Sequence, residues 1–192
     1  MAYVMTTQTL KTADPASWRS AAARKSAHGA WYIAIDPLAI QLSTEPLTAP
    51  FGLSSWTEGS QRVNLDLRCT DELREFANLV DAWVWREAWA QRETVLPNVQ
   101  EGASHSRHKS CLSQNGLLRT KVDLDRVKVW RRTPDGEICP ATPEDIACRD
   151  AQVTPIVKPA RIWTSASQFG IALECTSILV HAARPDDIPF IL

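Results

Sequence analysis

Residues 70–92 read TDELREFANLVDAWVWREAWAQR, and the reading of this stretch decides the reading of the whole chain. Leu73, Phe76, Val80, Trp83, Val84 and Ala88 recur at the three- and four-residue spacing that holds one face of a helix against a core. Thr70 or Asp71 can accept from the first free amides, and Asp71, Glu72 and Glu75 sit where the positive end of the helix dipole favours acid. No Gly or Pro interrupts the run, and Pro97 closes it. Sequence on either side carries the signals of strands and turns. The chain therefore reads as a β protein with one long helix set into it.

Working back from the helix, Gln61–Arg68 alternates, with Val63, Leu65 and Leu67 on one side and Arg62, Asn64, Asp66 and Arg68 on the other, the mark of a half-buried strand. Glu58-Gly59-Ser60 is a turn, Pro46 and Pro50 bracket a loop, and Trp31–Asp36 and Leu38–Ser43 read as two earlier strands. Residues 1–29 are rich in Ala, Ser and Thr, with Trp18 as their one large anchor; they are expected as a flexible arm with a short helix at Ala16–Lys25.

Working forward, 98–115 is polar and aperiodic and reads as an exposed loop. Strand pattern returns at Leu117, and Val122 and Leu124 differ in parity from Val127 and Val129, which places a bulge or bend near Asp125-Arg126. Arg132–Glu137 contains Pro134-Asp135-Gly136, a hairpin turn. Residues 140–155 read as a Pro-bounded loop with a helical turn at Pro143–Cys148, and Arg161–Ser165 and Phe169–Val180 as a last strand pair. The second slips in parity between Cys175 and Ile178, and 182–192 forms an acidic, Pro-broken tail. About six short, bending strands with one helix between the third and the fourth predict a mainly β chain, an OB-fold-like Greek-key barrel over 30–181. A β-sandwich with an inserted helix has the same pattern.

Composition narrows the function classes. With 192 residues, 44% hydrophobic and 22% charged, the chain can build a core without staples. Five Cys make an odd number without a Cys-x-x-Cys pair, which argues against a disulfide framework or zinc ribbon and fits a reducing compartment. No leader pattern opens the chain and no apolar run nears the roughly 20 residues that span a bilayer. An intracellular, soluble protein with no membrane partner is expected. The net charge of −1 hides segregation: residues 105–132 carry eight basic side chains against two acidic ones.

No stretch reads as an active site, so the chain is not expected to be an enzyme. His105-x-x-His108-x-x-Cys111 is irregular and lacks a fourth ligand, so polar loop residues are the preferred reading over a metal-dependent enzyme, and no cofactor or metal is expected. Seven scattered Gly build no phosphate loop, and no Gly-x-Ser-x-Gly elbow occurs. A binding surface has more support. Arg119, Lys121, Arg126, Lys128, Arg131 and Arg132 alternate with apolar residues, and Trp130 lies among them. Alternation places several cations on one sheet face, where they can track phosphates while an exposed ring stacks on a base. The competing reading is an edge strand kept soluble by its Lys and Arg.

Two resemblances bear on that choice. Gln41, Pro46-Leu47-Thr48-Ala49-Pro50-Phe51-Gly52-Leu53 and Trp56, then the Leu65/Leu67 strand and the Trp-rich helix, resemble the opening half of an OB-fold family of large DNA viruses of eukaryotes. Lys121-Val122, Ile162-Trp163 and Phe169-Gly170-Ile171 match its closing blocks. That family is similar to viral single-stranded-DNA-binding proteins of the replication machinery. Asp186-Asp187-Ile188-Pro189-Phe190 resembles the tail tip of bacterial single-stranded-DNA-binding proteins, which docks partner enzymes; here Ile191 and Leu192 displace the terminal carboxylate.

Together these imply a protein that binds single-stranded DNA with little sequence preference and acts in replication, repair or recombination, at sites of DNA replication in a nucleus or viral factory. The expected contacts are Arg62, Arg119, Lys121, Arg126, Lys128, Trp130, Arg131 and Arg161, with Trp56 as a second stacking ring. Residues 186–190 are the expected dock for replication or repair proteins, and a homo-oligomer remains open. The alternative is a structural or scaffold protein of a virion or of chromatin that kept the barrel without a single-strand groove.

Overall fold

The computed structural model describes residues 7–36, 38–55, 59–97, 107–146, 148–165 and 168–181. Its strands are, in chain order, β1 (Thr7–Thr9), β2 (Arg24–Lys25), β3 (Trp31–Ala34), β4 (Ala39–Gln41), β5 (Leu47–Ala49), β6 (Leu53–Ser54) and β7 (Arg62–Arg68). The helices α1 (Asp71–Ala90) and α2 (Arg92–Val95) follow. After them come β8 (His108–Lys109), β9 (Leu117–Asp123), β10 (Lys128–Arg132), β11 (Ile138–Ala141), β12 (Ala151–Thr164) and β13 (Phe169–His181).

β12 and β13 form the spine, an antiparallel pair whose inward side chains (Val153, Val157, Ile162, Leu173, Cys175, Ile178) are buried. The other edge of β12 takes β3, β4 and β5 in turn, all antiparallel. The other edge of β13 takes β8, β9 and β10, all parallel. β9 pairs antiparallel with β7 over its full length, β7 pairs with β6, and β5 packs against β7, so the sheet curls back on itself. Mainly β and with one long helix, the chain forms an OB-fold-like barrel. α1 joins β7 to β9, the third and fourth strands of the sequence reading. Around the barrel they are neighbours, and β7 and β9 are its second and third staves after the broken stave β4–β6.

α1 forms where its pattern places it. The Thr70 hydroxyl accepts from the Leu73 amide at 3.2 Å, and Leu73, Phe76, Ala77, Val80, Trp83, Val84 and Ala88 make the buried face. Two features differ from the sequence reading. The stretch expected as a flexible arm is laid down on the protein from Thr7 onward: β1 pairs parallel with β4, and Trp18 is buried edge-on against Trp83 and Phe76, at 5.3 and 6.2 Å between centroids. In place of a helix at 16–25 there is a 3₁₀ turn over Pro15–Ser17 capped by Asp14, then β2. The apolar gain of burying an indole outweighs the weak local preference of an Ala/Ser-rich segment. Gln91 then fixes the segment, accepting from the Ala23 amide at 2.7 Å and donating to the Ala21 carbonyl at 3.1 Å.

The second difference is the length of β12. It continues from Ala151 through Pro155 and Pro159, where the sequence suggested a loop and a short strand. The register against β13 shifts between Ile156 and Val157 and between Pro159 and Arg161. A proline cannot donate to the ladder, and at irregular positions that lost donor goes unmissed while the strand bends round the barrel. The shift at Ile156/Val157 leaves Thr176 without a register partner, which is where β13 changes parity.

Candidate nucleic-acid interface

On the outward face of the barrel, side chains alternate with the core residues of β7, β9, β13 and β12. The β7–β9 register sets Asn64 opposite Lys121 and Asp66 opposite Arg119. Lys121 Nζ donates to Asn64 Oδ1, and Arg119 Nε lies 3.5 Å from Asp66 Oδ1. From β12, Arg161 and Trp163 come up beside Ala172 and Gly170. These strands and the 109–111 segment line a groove of about 430 Å³ that holds Arg62, Lys109, Arg119, Lys121 and Arg161 against one carboxylate, Glu174. Glu174 is already engaged, 4.0 Å from Arg62 and 3.6 Å from Lys158. Burial, and then the neighbouring Arg119 and Arg62 charges, hold the Lys121 ammonium below the usual lysine range, opposed only by Asp66. Five cations against Glu174 and Asp66 leave the groove with positive charge to spare.

Trp163 gives this groove its flat surface. Its Nε1 donates to the Ile171 carbonyl at 3.2 Å, which orients the half-buried ring and satisfies its one polar atom. Gly170 makes the arrangement possible. A Cβ there would stand 2.6 Å from the Lys109 carbonyl oxygen and 3.0 Å from Trp163 Cζ2, so any side chain would force apart the segment carrying Lys109 and the indole.

The helix reaches this groove through Asp81. Its carboxylate accepts from the Ser110 hydroxyl and, at 3.0 Å, from the Cys111 amide, while His108 Nε2 lies 3.7 Å away. The His108 ring packs on Phe169 with 5.3 Å between centroids. The Cys111 thiol is buried and donates to the Ala77 carbonyl at 3.6 Å; burial, reinforced by Asp81, pushes it far above the ordinary thiol range, so it is an inert packing group. Of the sequence's His/His/Cys series, His105 lies outside the described residues. Among the described residues no three His, Cys, Asp or Glu converge as a metal site.

Four of the sequence-predicted contacts, Arg62, Arg119, Lys121 and Arg161, thus meet in one groove. Lys128 and Trp130 lie farther along the same face, on β10, where Trp130 is 38% exposed and borders a second groove. Arg131 has the opposite parity and is bound to Asp145 at 3.0 Å. Arg126 stands in the turn between β9 and β10, 3.8 Å from Asp123, and lines neither groove. Trp56 and the tail residues Asp186, Asp187, Ile188, Pro189 and Phe190 lie outside the described residues. Sequence reasoning missed Lys109 and Trp163 as residues of this groove. The Trp163 signal was present in Phe169-Gly170-Ile171, whose glycine marks a close approach; Lys109 sat in a stretch without periodicity.

No family model matches the chain, and no curated protein matches it. Among solved structures the chain is similar to the single-stranded DNA-binding protein from bacteriophage Enc34, with a TM-score of 0.47 and 12% identity over 91% of this chain and 96% of that one. The same phage protein in complex with ssDNA aligns with a TM-score of 0.45 and 13% identity, over 88% of this chain and 98% of that one.

Proposed function

We propose that the protein binds single-stranded DNA with little sequence preference, in the groove across β7, β9, β13 and β12. The observation that carries this reading is the meeting of five cations and a flat indole in one groove, against the carboxylate of Glu174 in its lining and that of Asp66 beside Arg119. In barrels of this type the second and third staves, with the loops at their ends, are a surface suited to oligonucleotides. Here those staves are β7 and β9, and Gln168 of the loop between β12 and β13 borders the groove. Cations track the phosphates and the ring stacks on any base, a combination that holds a strand without reading it.

A protein holding unpaired DNA in this way serves replication, repair or recombination. In that role it should help a polymerase copy through a template hairpin, and unchanged extension on such templates would remove the role while leaving the binding. The binding itself is tested by titrating intrinsic Trp fluorescence with oligo-dT at two salt concentrations. Quenching is expected, with log affinity falling against log salt at a slope of about −2 to −4 if three to five phosphates are neutralised. No quenching and no mobility shift at low salt would overturn the proposal. Equal affinity for duplex DNA would favour the scaffold reading instead.

A further inference from the structure

The second groove lies on the same face, farther along β13. It has a volume of about 450 Å³ and is floored by Trp130, Ile156, Leu179 and the exposed Ile138, with Arg132 and His181 at its edge and no carboxylate in its lining. Trp130 is set opposite Leu179 by the β10–β13 register, and Lys128 and Arg132 share its parity, so a cation stands on either side of the ring. An apolar floor under a half-exposed indole, with positive charge on both flanks, suits a stacked base whose phosphates lie toward the rim. It also suits the occupant already assigned to the first groove. Both grooves open on the outward side of β13, whose Gly170 pairs with Trp163 and whose Leu179 pairs with Trp130. Nine residues of strand separate the two positions, about 30 Å at ~3.3 Å per residue.

We infer that Trp130, flanked by Lys128 and Arg132, is a second stacking subsite that takes a base of the same single strand about 30 Å from the Trp163 groove. The inference rests on the single-strand reading of the first groove. A strand engaging both rings must span the intervening β13 face, past Glu174. That carboxylate is no barrier, because Arg62 and Lys158 both lie against it. Such a span falls within the roughly 4–16 nucleotides that a barrel of this kind covers. A very short oligonucleotide fills one groove only; a longer one fills both.

The test compares dT oligonucleotides of about 4 and about 12 nucleotides, lengths that bracket one groove and both. Trp130→Ala should lower the affinity for the longer oligonucleotide about tenfold more than for the shorter, the loss of one stacked base. Trp130→Phe should restore most of it. Trp163→Ala should weaken both lengths. Lys128→Gln with Arg132→Gln, substitutions at exposed positions that leave the core intact, should flatten the salt dependence for the longer oligonucleotide alone. If Trp130→Ala leaves the longer oligonucleotide unaffected, or weakens both lengths equally, while Trp163→Ala weakens both, the second subsite is wrong and the first groove stands. If the unaltered protein binds neither length, the single-strand reading itself has failed.

Discussion

Two pairs of tryptophans contrast within this molecule. On the helix, Trp83 is 3% exposed and meets Trp18, itself 7% exposed, edge to face. On the outward sheet face, Trp163 and Trp130 each border a groove with cations beside them. Both sets come from the same residue type, and neither segment's composition says which ring will be covered. The difference lies in coverage. Residues 7–25 return over α1 and close that side, held by Gln91 and by Ser20, whose hydroxyl donates to Glu87 at 2.7 Å. No described segment lies over the β7–β9–β13 face in this way. Indoles under cover stabilise the fold, and indoles without cover remain available to a ligand.

The largest expected effect comes from opening the covered side. Trp83→Ala should cost about 3–5 kcal/mol of stability, by removing a large buried ring and leaving Trp18 without its partner. Trp83→Phe should cost far less than that, because the indole N–H of Trp83 is buried without an acceptor and its deletion removes an unsatisfied donor. Thermal unfolding of both variants, with oligo-dT affinity measured well below the transition, checks the contrast. A large loss of affinity in Trp83→Phe with unchanged stability would erase the distinction between the two pairs.

Asp81 links the two sides through its carboxylate, and its removal should give an intermediate effect. Asp81→Ala leaves the part-buried Cys111 amide and the Ser110 hydroxyl without their acceptor, a loss of about 1–3 kcal/mol. The segment 108–111 should loosen, seen as faster amide exchange at Cys111, and oligo-dT affinity should fall because Lys109 is no longer held at the groove. Asp81→Asn, which keeps one carbonyl acceptor, should fall between. Unchanged exchange at Cys111 in Asp81→Ala would show that Gly170 and the β8–β13 pairing fix the segment without help from the helix.

Much of this was legible in the sequence. The helix could be read from its period and cap, β7 from its alternation, and the β9–β10 break from the parity slip at Asp125-Arg126, because all three are local patterns imposed by one buried face. What could not be read is non-local. Trp18 in an Ser/Ala-rich segment carries no sign that Trp83 awaits it, and Pro155 and Pro159 read as strand breakers because the register shifts that tolerate them belong to the pairing with β13. The candidate site divides the same way. Alternation located Arg119 and Lys121, but an alternating run does not say which cations a partner strand will neutralise. Arg131 lost its place to Asp145, fourteen residues on, whereas Lys109 gained one through a glycine sixty-one residues away.

The smallest expected effect is also the most specific to the open face, where a part-buried lysine lies among other cations. Lys121 has its pKa lowered by burial first and by Arg119 and Arg62 after that, with Asp66 opposing. In the unfolded chain the same lysine titrates at its ordinary value, so between the two pKa values the unfolded state binds more protons. Folding stability should therefore rise slightly as pH increases through that window below 10.5. Binding should move the other way. A phosphate beside Lys121 favours the charged form, so the bound state holds the proton that the free protein has begun to release, and affinity falls as pH rises through the same window. Lys121→Met should flatten both slopes together. Stability and oligo-dT affinity measured from pH 8 upward, in steps of about half a unit, check the opposed signs. Two curves moving in the same direction would mean that Lys121 titrates against a partner in the barrel and takes no part in holding the strand.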